Sequence, residues 1–210
     1  MRAGRTGLVA AAAAMALAWG GAESEARTPR DALVMAWNID AILTMDPAQI
    51  GEVVTDEIVN NVCDPLIFLD HDDPAKMVPG LAERWEVSDD GLTYTFHLRR
   101  GLKHPSGNPV TAQDAEWSIR RVLHLGFGNA AQYTLWGLSK EKAEEQIRAI
   151  DDHTLQITVP QPWPPSLFLY VLTGRQGFVL DRKAIEPHVA TRTDGSPDYG
   201  NAWLKTNLAC

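Results

Sequence analysis

The stretch Ser88–Gly101 reads SDDGLTYTFHLRRG and contains two local signals in succession. Its opening residues place two aspartates before a glycine. Short carboxylates accept hydrogen bonds from nearby backbone N–H groups and glycine tolerates positive φ, so the sequence predicts a turn. Tyr94, Phe96 and Leu98 then alternate with polar residues, the period-two pattern of a half-buried strand. The stretch therefore predicts a tight turn that leads into a strand of a sheet.

The adjacent Asp89 and Asp90 also raise the possibility of a catalytic carboxylate pair. General acid and base catalysis needs two carboxylates in different environments that face one substrate. Neighbours in an exposed turn are both solvated and both ionised. We therefore interpret the pair as turn residues.

The composition is that of a globular protein. The chain has 210 residues, seven tryptophans and a formal net charge of -8. A nucleic-acid-binding protein needs clustered Lys and Arg to displace counterions from phosphates, so the acidic balance argues against nucleic acid as a partner.

The N-terminus has the pattern of a secretory signal peptide. Arg2 and Arg5 precede the apolar run Leu8–Trp19, which is too short to span a bilayer comfortably. Small residues follow, and we predict that the first 26 residues form the signal, with cleavage after Ala22 or Ala26. The arginines are not adjacent and no cysteine lies near the cleavage region. The sequence thus predicts a periplasmic protein without a twin-arginine signal or a lipid anchor.

Two cysteines are present, Cys63 and Cys210. An oxidising compartment permits a disulfide between them, but cysteines so far apart in sequence do not establish proximity. We favour a buried, unpaired Cys63.

Helices and strands alternate along the rest of the chain. Leu33–Trp37 (LVMAW) and Thr154–Val159 predict strands, while Glu52–Val62 has helical apolar spacing. Ser139 is placed to cap a helix through Arg148. We also expect a small strand and a short helix within residues 179–187. The mixture predicts an α/β fold class.

The strongest helix signal lies at Ala112–Leu125. Thr111 with Asp114 three residues later forms a capping-box pattern, and Gly126 is a suitable end.

No motif nominates an enzyme, a metal site or a cofactor. His71 and His153 each adjoin two aspartates, but neighbouring turn residues point in different directions and lack metal-ligand spacing. A Gly-x-Ser-x-Gly elbow and a phosphate-binding glycine loop are missing from the sequence. Tyr133 and Trp136 lie in an irregular, glycine-rich segment, where aromatic residues either line a ligand cleft or pack under loops.

Several stretches together resemble the family-5 extracellular solute-binding proteins, the peptide receptors of bacterial ABC importers. They are MDPA at 45–48, NVCDPLIFLD at 61–70, PGLAERWEVSDDGLTYTFHLRRGLKHPSGNPVTAQD at 79–114, AIDDHTLQITV at 149–159 and YGNAWLKTN at 199–207. The resemblance implies a periplasmic binding protein-like, type II fold of two lobes. It implies a first subdomain beginning at residues 27–66, an inserted subdomain at 67–178 and a return to the first at 179–210.

The resemblance also implies where a ligand binds. The loop after the first strand corresponds to Gln49, Ile50, Gly51, Glu52 and Val53, which would offer backbone groups to a peptide. The cleft-facing segment matches Tyr133 and Trp136 more loosely. Thr173, Gly174 and Arg175 would lie near the crossing between lobes.

The implied function is the capture of di- or oligopeptides by a monomeric protein that delivers them to permease subunits in the inner membrane. Three departures stand out: Cys63 replaces an aromatic residue, His104-Pro105 replaces a Phe-His or Trp-like pair, and Cys210 falls where a Gly-Thr-Gly-Pro-Tyr-like sequence should start. We therefore expect the chain to be the N-terminal part of such a receptor. Other ligands of the fold (an oligosaccharide, opine, nickel complex or haem), a non-functional remnant and a secreted hydrolase stay open as alternatives.

Overall fold

The computed structural model describes residues 30–36 and 38–210, so the predicted signal peptide lies outside the described residues. The chain divides into two units, residues 1–37 and 38–210. Within the first unit, residues 30–36 form neither helix nor strand, and Leu33, Val34 and Met35 are exposed. The predicted buried strand is therefore wrong for Leu33–Ala36. An apolar run becomes a strand only where neighbouring strands take its hydrogen bonds.

Helices and strands alternate in the second unit. The α-helices are α1 (Val53–Asn60), α2 (Ala112–Leu125), α3 (Ala131–Thr134), α4 (Ala143–Gln146), α5 (Pro165–Val171), α6 (Arg182–Ile185) and α7 (Asn201–Leu204). The strands are β1 (Ile67–Leu69), β2 (Met77–Pro79), β3 (Ala82–Val87), β4 (Thr93–Leu98), β5 (Ile147–Asp151) and β6 (Thr154–Thr158). Short 3-10 helices lie at Ile39–Ala41, Gly128–Ala130, Lys140–Lys142, Arg175–Gly177 and Glu186–His188.

The main sheet is antiparallel, with strand order β3-β4-β6-β5. The turn between β3 and β4 is the predicted aspartate turn. Asp90 Oδ1 accepts hydrogen bonds from the Leu92 N–H at 3.0 Å and the Ser88 hydroxyl at 2.5 Å, and Gly91 has φ of 70°. The alternating apolar residues of β4 are buried, so both local predictions are confirmed.

Helix α2 packs against β5 and β6 and closes the core on one face of the sheet. The capping box is present as predicted: Thr111 Oγ1 accepts from the Asp114 N–H at 3.3 Å, and Asp114 Oδ2 accepts from the Thr111 N–H at 2.9 Å. The helix ends at Gly126, whose φ of 66° suits a residue without a Cβ atom.

The outer edge of β5 is covered by side chains of α2. Arg120 Nε and Nη2 donate to the Ile147 carbonyl at 2.9 and 2.6 Å, and the Ala149 N–H donates to Glu116 Oε1 at 3.1 Å. These bonds satisfy backbone groups that an exposed edge strand would offer to other chains.

The same edge corrects the prediction of one helix from Ser139 to Arg148. The 3-10 helix Lys140–Lys142 is followed by α4, which ends at Gln146. Ile147 already pairs with Ile157 of β6. Sheet pairing and the Arg120 bonds outweigh the helix propensity of the preceding charged run. The short helix after Asp181 is confirmed, whereas residues 179–181 are buried without forming a strand.

Strands β1 and β2 form a second, two-stranded sheet beside the point where the chain returns. The Leu66 N–H donates to the Gly177 carbonyl at 2.9 Å, and Pro65 forms an isolated bridge with Phe178. Both predicted boundaries of the inserted subdomain thus lie side by side. This is compatible with the division at 66 and 178, which stays a prediction.

Cys63 and Cys210 form a disulfide, with 5.2 Å between their Cα atoms. The expectation of an unpaired Cys63 is wrong, although its burial is confirmed. Backbone bonds bring the distant segments together: the Met45 N–H donates to the Lys205 carbonyl at 3.1 Å, and the Asp181 N–H to the Ala209 carbonyl at 2.6 Å. Such pairings are not visible in cysteine spacing.

Among residues 30–36 and 38–210, no helix is both long enough and apolar enough to cross a membrane.

Cys210→Ser should lower the free energy of unfolding, because the disulfide closes a loop with a sequence separation of 147 residues. The chain-entropy relation sets an upper limit of about 5 kcal/mol. Denaturant unfolding of the oxidised protein, of this variant and of Cys63→Ser measures the effect. The reduced wild type serves as control and should match Cys210→Ser, and detection of two free thiols in the folded, unreduced protein would contradict the bridge.

The stability contributed by Asp114 should depend on pH. Burial opposes its ionisation, but His104 with Nε2 at 3.9 Å and the Thr111 N–H and hydroxyl favour the carboxylate and lower its pKa. A lowered pKa in the folded state gives stability that is present above the unfolded value of about 3.9 and lost as pH falls through the folded one. Asp114→Asn should therefore cost about 1 kcal/mol near pH 7 and progressively less below pH 4. Urea titrations across this range test it, with the exposed Asp89→Asn as control; a pH-independent difference would refute the assignment.

Candidate functional site

The predicted ligand loop precedes α1 and is held in place from outside. Asn129 Nδ2 donates to the carbonyl oxygens of Pro47 and Ile50 at 2.8 and 3.0 Å. One amide thus fixes the loop against the turn that leads into α3. A loop held at two carbonyls presents its remaining backbone groups in a defined geometry.

A buried ion pair anchors the start of this loop. Asp46 and Arg121 are 0 % and 1 % exposed, and the guanidinium donates to both carboxylate oxygens, at 2.7 and 2.5 Å. Asp46 also accepts from Asn201 Nδ2 at 2.6 Å and from the Ala48 N–H at 3.0 Å. The carboxylate therefore has four donors, which is the condition for keeping a charge inside a protein.

Arg121 joins the same anchor to the C-terminal segment, because its Nε donates to the Tyr199 carbonyl at 2.8 Å. Tyr199 and Gly200 both have positive φ, 50° and 73°. Asp198 stabilises this bend by accepting from the N–H groups of Ala190, Gly200 and Ala202, which outweigh the opposing effect of burial and lower the pKa of Asp198.

Sequence reasoning missed the Asp46–Arg121 pair. Asp46 stood within the quoted MDPA stretch without a role, and Arg121 was not singled out within the predicted helix. One signal was available: Arg121 lies three residues after Ser118 and four before Leu125, on the face of α2 that is buried. An arginine on a buried helix face requires a carboxylate partner.

The other predicted site residues are brought to the same region. Arg175 Nη1 donates to Asp56 Oδ1 of α1 at 2.6 Å, and the Tyr133 hydroxyl donates to the Gln176 carbonyl. The loop at 49–53, the segment at 129–133 and the turn at 173–176 are thus linked by hydrogen bonds, directly or through Asp56, and this set of segments is here called the loop edge.

The five loop residues differ in what they expose. The side chain of Ile50 is buried, while Gln49, Gly51 and Val53 are exposed. Glu52 turns its carboxylate back onto the loop: it accepts from the N–H groups of Leu43 and Gly51 and from the Thr55 hydroxyl. These bonds outweigh desolvation and lower the pKa of Glu52. The exposed backbone around Gly51 is therefore the accessible part of the loop.

For the two aromatic residues, the structure favours packing. Tyr133 is fully buried, and burial raises the pKa of its hydroxyl. Trp136 is half-buried against Trp163 and Phe168, with ring centroids 5.3 and 6.1 Å apart. Of the two alternatives left open for Tyr133, its burial favours packing, and its hydroxyl supports the turn at Gln176. The assignment of Tyr133 and Trp136 to a ligand site stays a prediction. Thr173 and Gly174 are half-buried on the turn beside Arg175.

The histidine–aspartate turns behave as turns. Asp70 Oδ1 accepts from the N–H groups of Asp72 and Asp73, and Asp151 Oδ1 accepts from the His153 N–H at 2.7 Å. Within the described part of the chain, no group of three His, Cys, Asp or Glu side chains is arranged to hold a metal ion.

Comparison with known proteins shows that the fold is shared with solute-binding proteins. Residues 76–203 match the model of the bacterial extracellular solute-binding proteins, family 5 Middle. The chain belongs to family 5 of these solute-binding proteins, as the sequence resemblance predicted.

Relatives and solved structures agree on the family and differ in the ligands they name. The dipeptide-binding protein DppE of Bacillus subtilis is 28% identical over 194 residues, 88% of this chain and 35% of that protein. The probable deoxycholate-binding periplasmic protein YgiS of Escherichia coli is 31% identical over 134 residues, 58% of this chain and 24% of that protein. The structure of Haemophilus influenzae OppA in complex with RPPGFSPFR aligns with a TM-score of 0.64 and 26% identity.

The OppA alignment covers 78% of this chain and 31% of the OppA chain. The predicted periplasmic binding protein-like fold is confirmed, and the chain spans about a third or less of the length of these relatives.

Arg121→Met should be strongly destabilising, because it leaves the Asp46 carboxylate buried without its main partner. Breaking a buried pair from one side costs about 3–5 kcal/mol. Urea unfolding of the variant measures the cost. The control is Arg182→Ala, whose exposed pair with Glu186 should contribute under about 1 kcal/mol. Equal, small effects of both substitutions would show that the ion pair does not anchor the loop.

Proposed function

We propose that the protein carrying this chain is the periplasmic solute-binding component of an ABC importer, and that it captures di- or oligopeptides and delivers them to permease subunits. The family match over residues 76–203 carries the proposal. The names of DppE and of the OppA–peptide complex favour peptides among the solutes of the family. On this proposal the protein is a monomer with no catalytic step.

The loop edge suits an extended peptide. The proposed contacts are the backbone carbonyls of Gln49 and Gly51, whose N–H groups are bonded within the protein, and backbone groups of Val53, with Arg175 at the neighbouring turn. Main-chain hydrogen bonds recognise any peptide, because they engage the groups that all peptides share. Side-chain selectivity then depends on the space around the ligand.

Binding is proposed to act through closure of two lobes. A ligand that contacts both lobes favours the closed conformation by its differential affinity for it. The permease then recognises the closed form. The anchors at Asp46 and Asn129 keep this part of the site rigid, so that closure changes the distance between lobes and not the shape of the loop.

Calorimetric titration of the secreted protein with Ala-Ala-Ala tests the proposal. We expect saturable binding, and an increase in thermal midpoint with peptide concentration, because a ligand of the native state stabilises it. Deoxycholate is the competing ligand to include, given the named relative. Binding of deoxycholate with no response to any peptide would replace the proposed ligand class.

Gly51→Leu locates the site. No atom lies within 4 Å of a Cβ placed at Gly51, so the larger side chain is tolerated by the fold but occupies the space in front of the loop. We expect peptide affinity to fall about ten-fold or more, the loss of roughly one hydrogen bond with its packing, with an unchanged thermal midpoint. Ala75→Leu, in the exposed connection between β1 and β2, is the matched control. Unaltered affinity in Gly51→Leu would place the ligand elsewhere.

A further inference from the structure

Arg175 has hydrogen-bonding capacity that the protein does not use. A guanidinium carries five N–H donors. The Arg175 side chain makes one hydrogen bond, from Nη1 to Asp56 Oδ1 at 2.6 Å. Its Nε is buried and has no partner within residues 30–36 and 38–210, so a ligand cannot reach that donor. The side chain is 27% exposed. Within the described residues Nη2 has no partner and is not among the buried atoms, so its N–H groups are the donors that a partner from outside the protein can reach.

Arg121 and Arg120, in the same unit of the chain, have structural roles and serve as a comparison. Arg121 uses its guanidinium on Asp46 and on the Tyr199 carbonyl. Arg120 donates to the carbonyls of Glu144 and Ile147 and pairs with Glu116. Both use several N–H groups on partners within the protein, whereas Arg175 uses one.

The backbone holds Arg175 in a fixed position. The Gly177 N–H donates to the Gly174 carbonyl at 2.7 Å. The Gly177 carbonyl accepts from the Leu66 N–H, and the Gln176 carbonyl accepts from the Tyr133 hydroxyl. A Cβ at Gly177 would overlap the backbone of Leu172, so the turn has little freedom to change. A guanidinium on a rigid turn loses little entropy when it binds.

Asp56 sets the direction of the guanidinium. The Asp56 N–H donates to the Glu52 carbonyl at 3.2 Å, so Asp56 lies in the first turn of α1, directly after the proposed ligand loop. Its pairing with Arg175 therefore holds the cation next to residues 49–53. The nearby Glu52 carboxylate is occupied by N–H groups of the loop and does not compete for Arg175.

We propose that Arg175 binds a carboxylate of the peptide, and that Asp56 is its positioning residue. Arginine suits this task because its planar fork donates two parallel hydrogen bonds to a carboxylate. The inference rests on the proposed peptide-binding function. The carboxylate belongs either to the C-terminus of the peptide or to an acidic side chain, and the experiment separates the two.

Three peptide probes are titrated into wild type and Arg175→Gln: Ala-Ala-Ala, its C-terminal amide, and Ala-Glu-Ala amide. A lost hydrogen-bonded charge pair corresponds to about ten- to a hundred-fold in affinity. If Arg175 binds the C-terminus, only Ala-Ala-Ala is weakened by that factor. If it binds an acidic side chain, only Ala-Glu-Ala amide is weakened. In both cases Arg175→Lys keeps part of the preference for the carboxylate, and Asp56→Asn loses less than Arg175→Gln.

Controls separate binding from folding. Arg182→Gln removes an exposed arginine that is paired with Glu186, and it should leave all three affinities unchanged. Thermal midpoints show whether each variant folds. Equal affinities of wild type and Arg175→Gln for all three probes overturn the inference and leave peptide binding intact. A wild type that binds none of the probes overturns both. A uniform loss across the probes in Arg175→Gln assigns Arg175 a structural role and also overturns the inference.

Discussion

The buried pair of Asp46 and Arg121 is the constraint on which the arrangement of the chain depends. Two charges removed from water are costly unless every donor and acceptor finds a partner. Here the requirement is met only when the loop after Asp46, helix α2 and the bend at Tyr199 are all in place. The pair thus makes three segments distant in sequence depend on one another. Its contribution to net stability is smaller than the cost of breaking it.

Hydrophobic burial supplies the driving force for folding. The sheet and α2 enclose the aromatic and aliphatic core, in which Tyr94 and Phe96 are fully buried. Polar side chains of half-buried residues then hold the periphery in place: Arg120 covers the edge of β5, and Asn129 binds the loop that is proposed to contact the ligand. The proposed site is therefore attached to a packed core, and it consists of exposed backbone together with the Arg175 side chain.

The features that sequence predicted well are those determined by neighbours along the chain. The aspartate turn and the capping box of α2 need only residues within a few positions of each other, and both are present. Features decided by distant partners were not predictable in this way. The helix expected through Arg148 gave way to a strand because β6 and Arg120 bind Ile147, and Cys63 met Cys210 through backbone pairings at Met45 and Asp181. The family resemblance named segments that are linked by hydrogen bonds in the structure, but it could not show that Tyr133 is enclosed.

The charged side chains of the loop edge also differ in whether their partners are local or distant in sequence. Glu52 and Asp56 lie at the start of α1, and their carboxylates are stabilised differently. Glu52 accepts from neutral donors, the N–H groups of Leu43 and Gly51 and the Thr55 hydroxyl, which leave its negative charge in place. Asp56 is paired with the charge of Arg175, from a turn more than a hundred residues away. That pair leaves unused donors on the arginine, because one carboxylate oxygen occupies one of five N–H groups. These unused donors are the physical reason to propose Arg175, and not the acids of α1, as the residue that distinguishes among peptides.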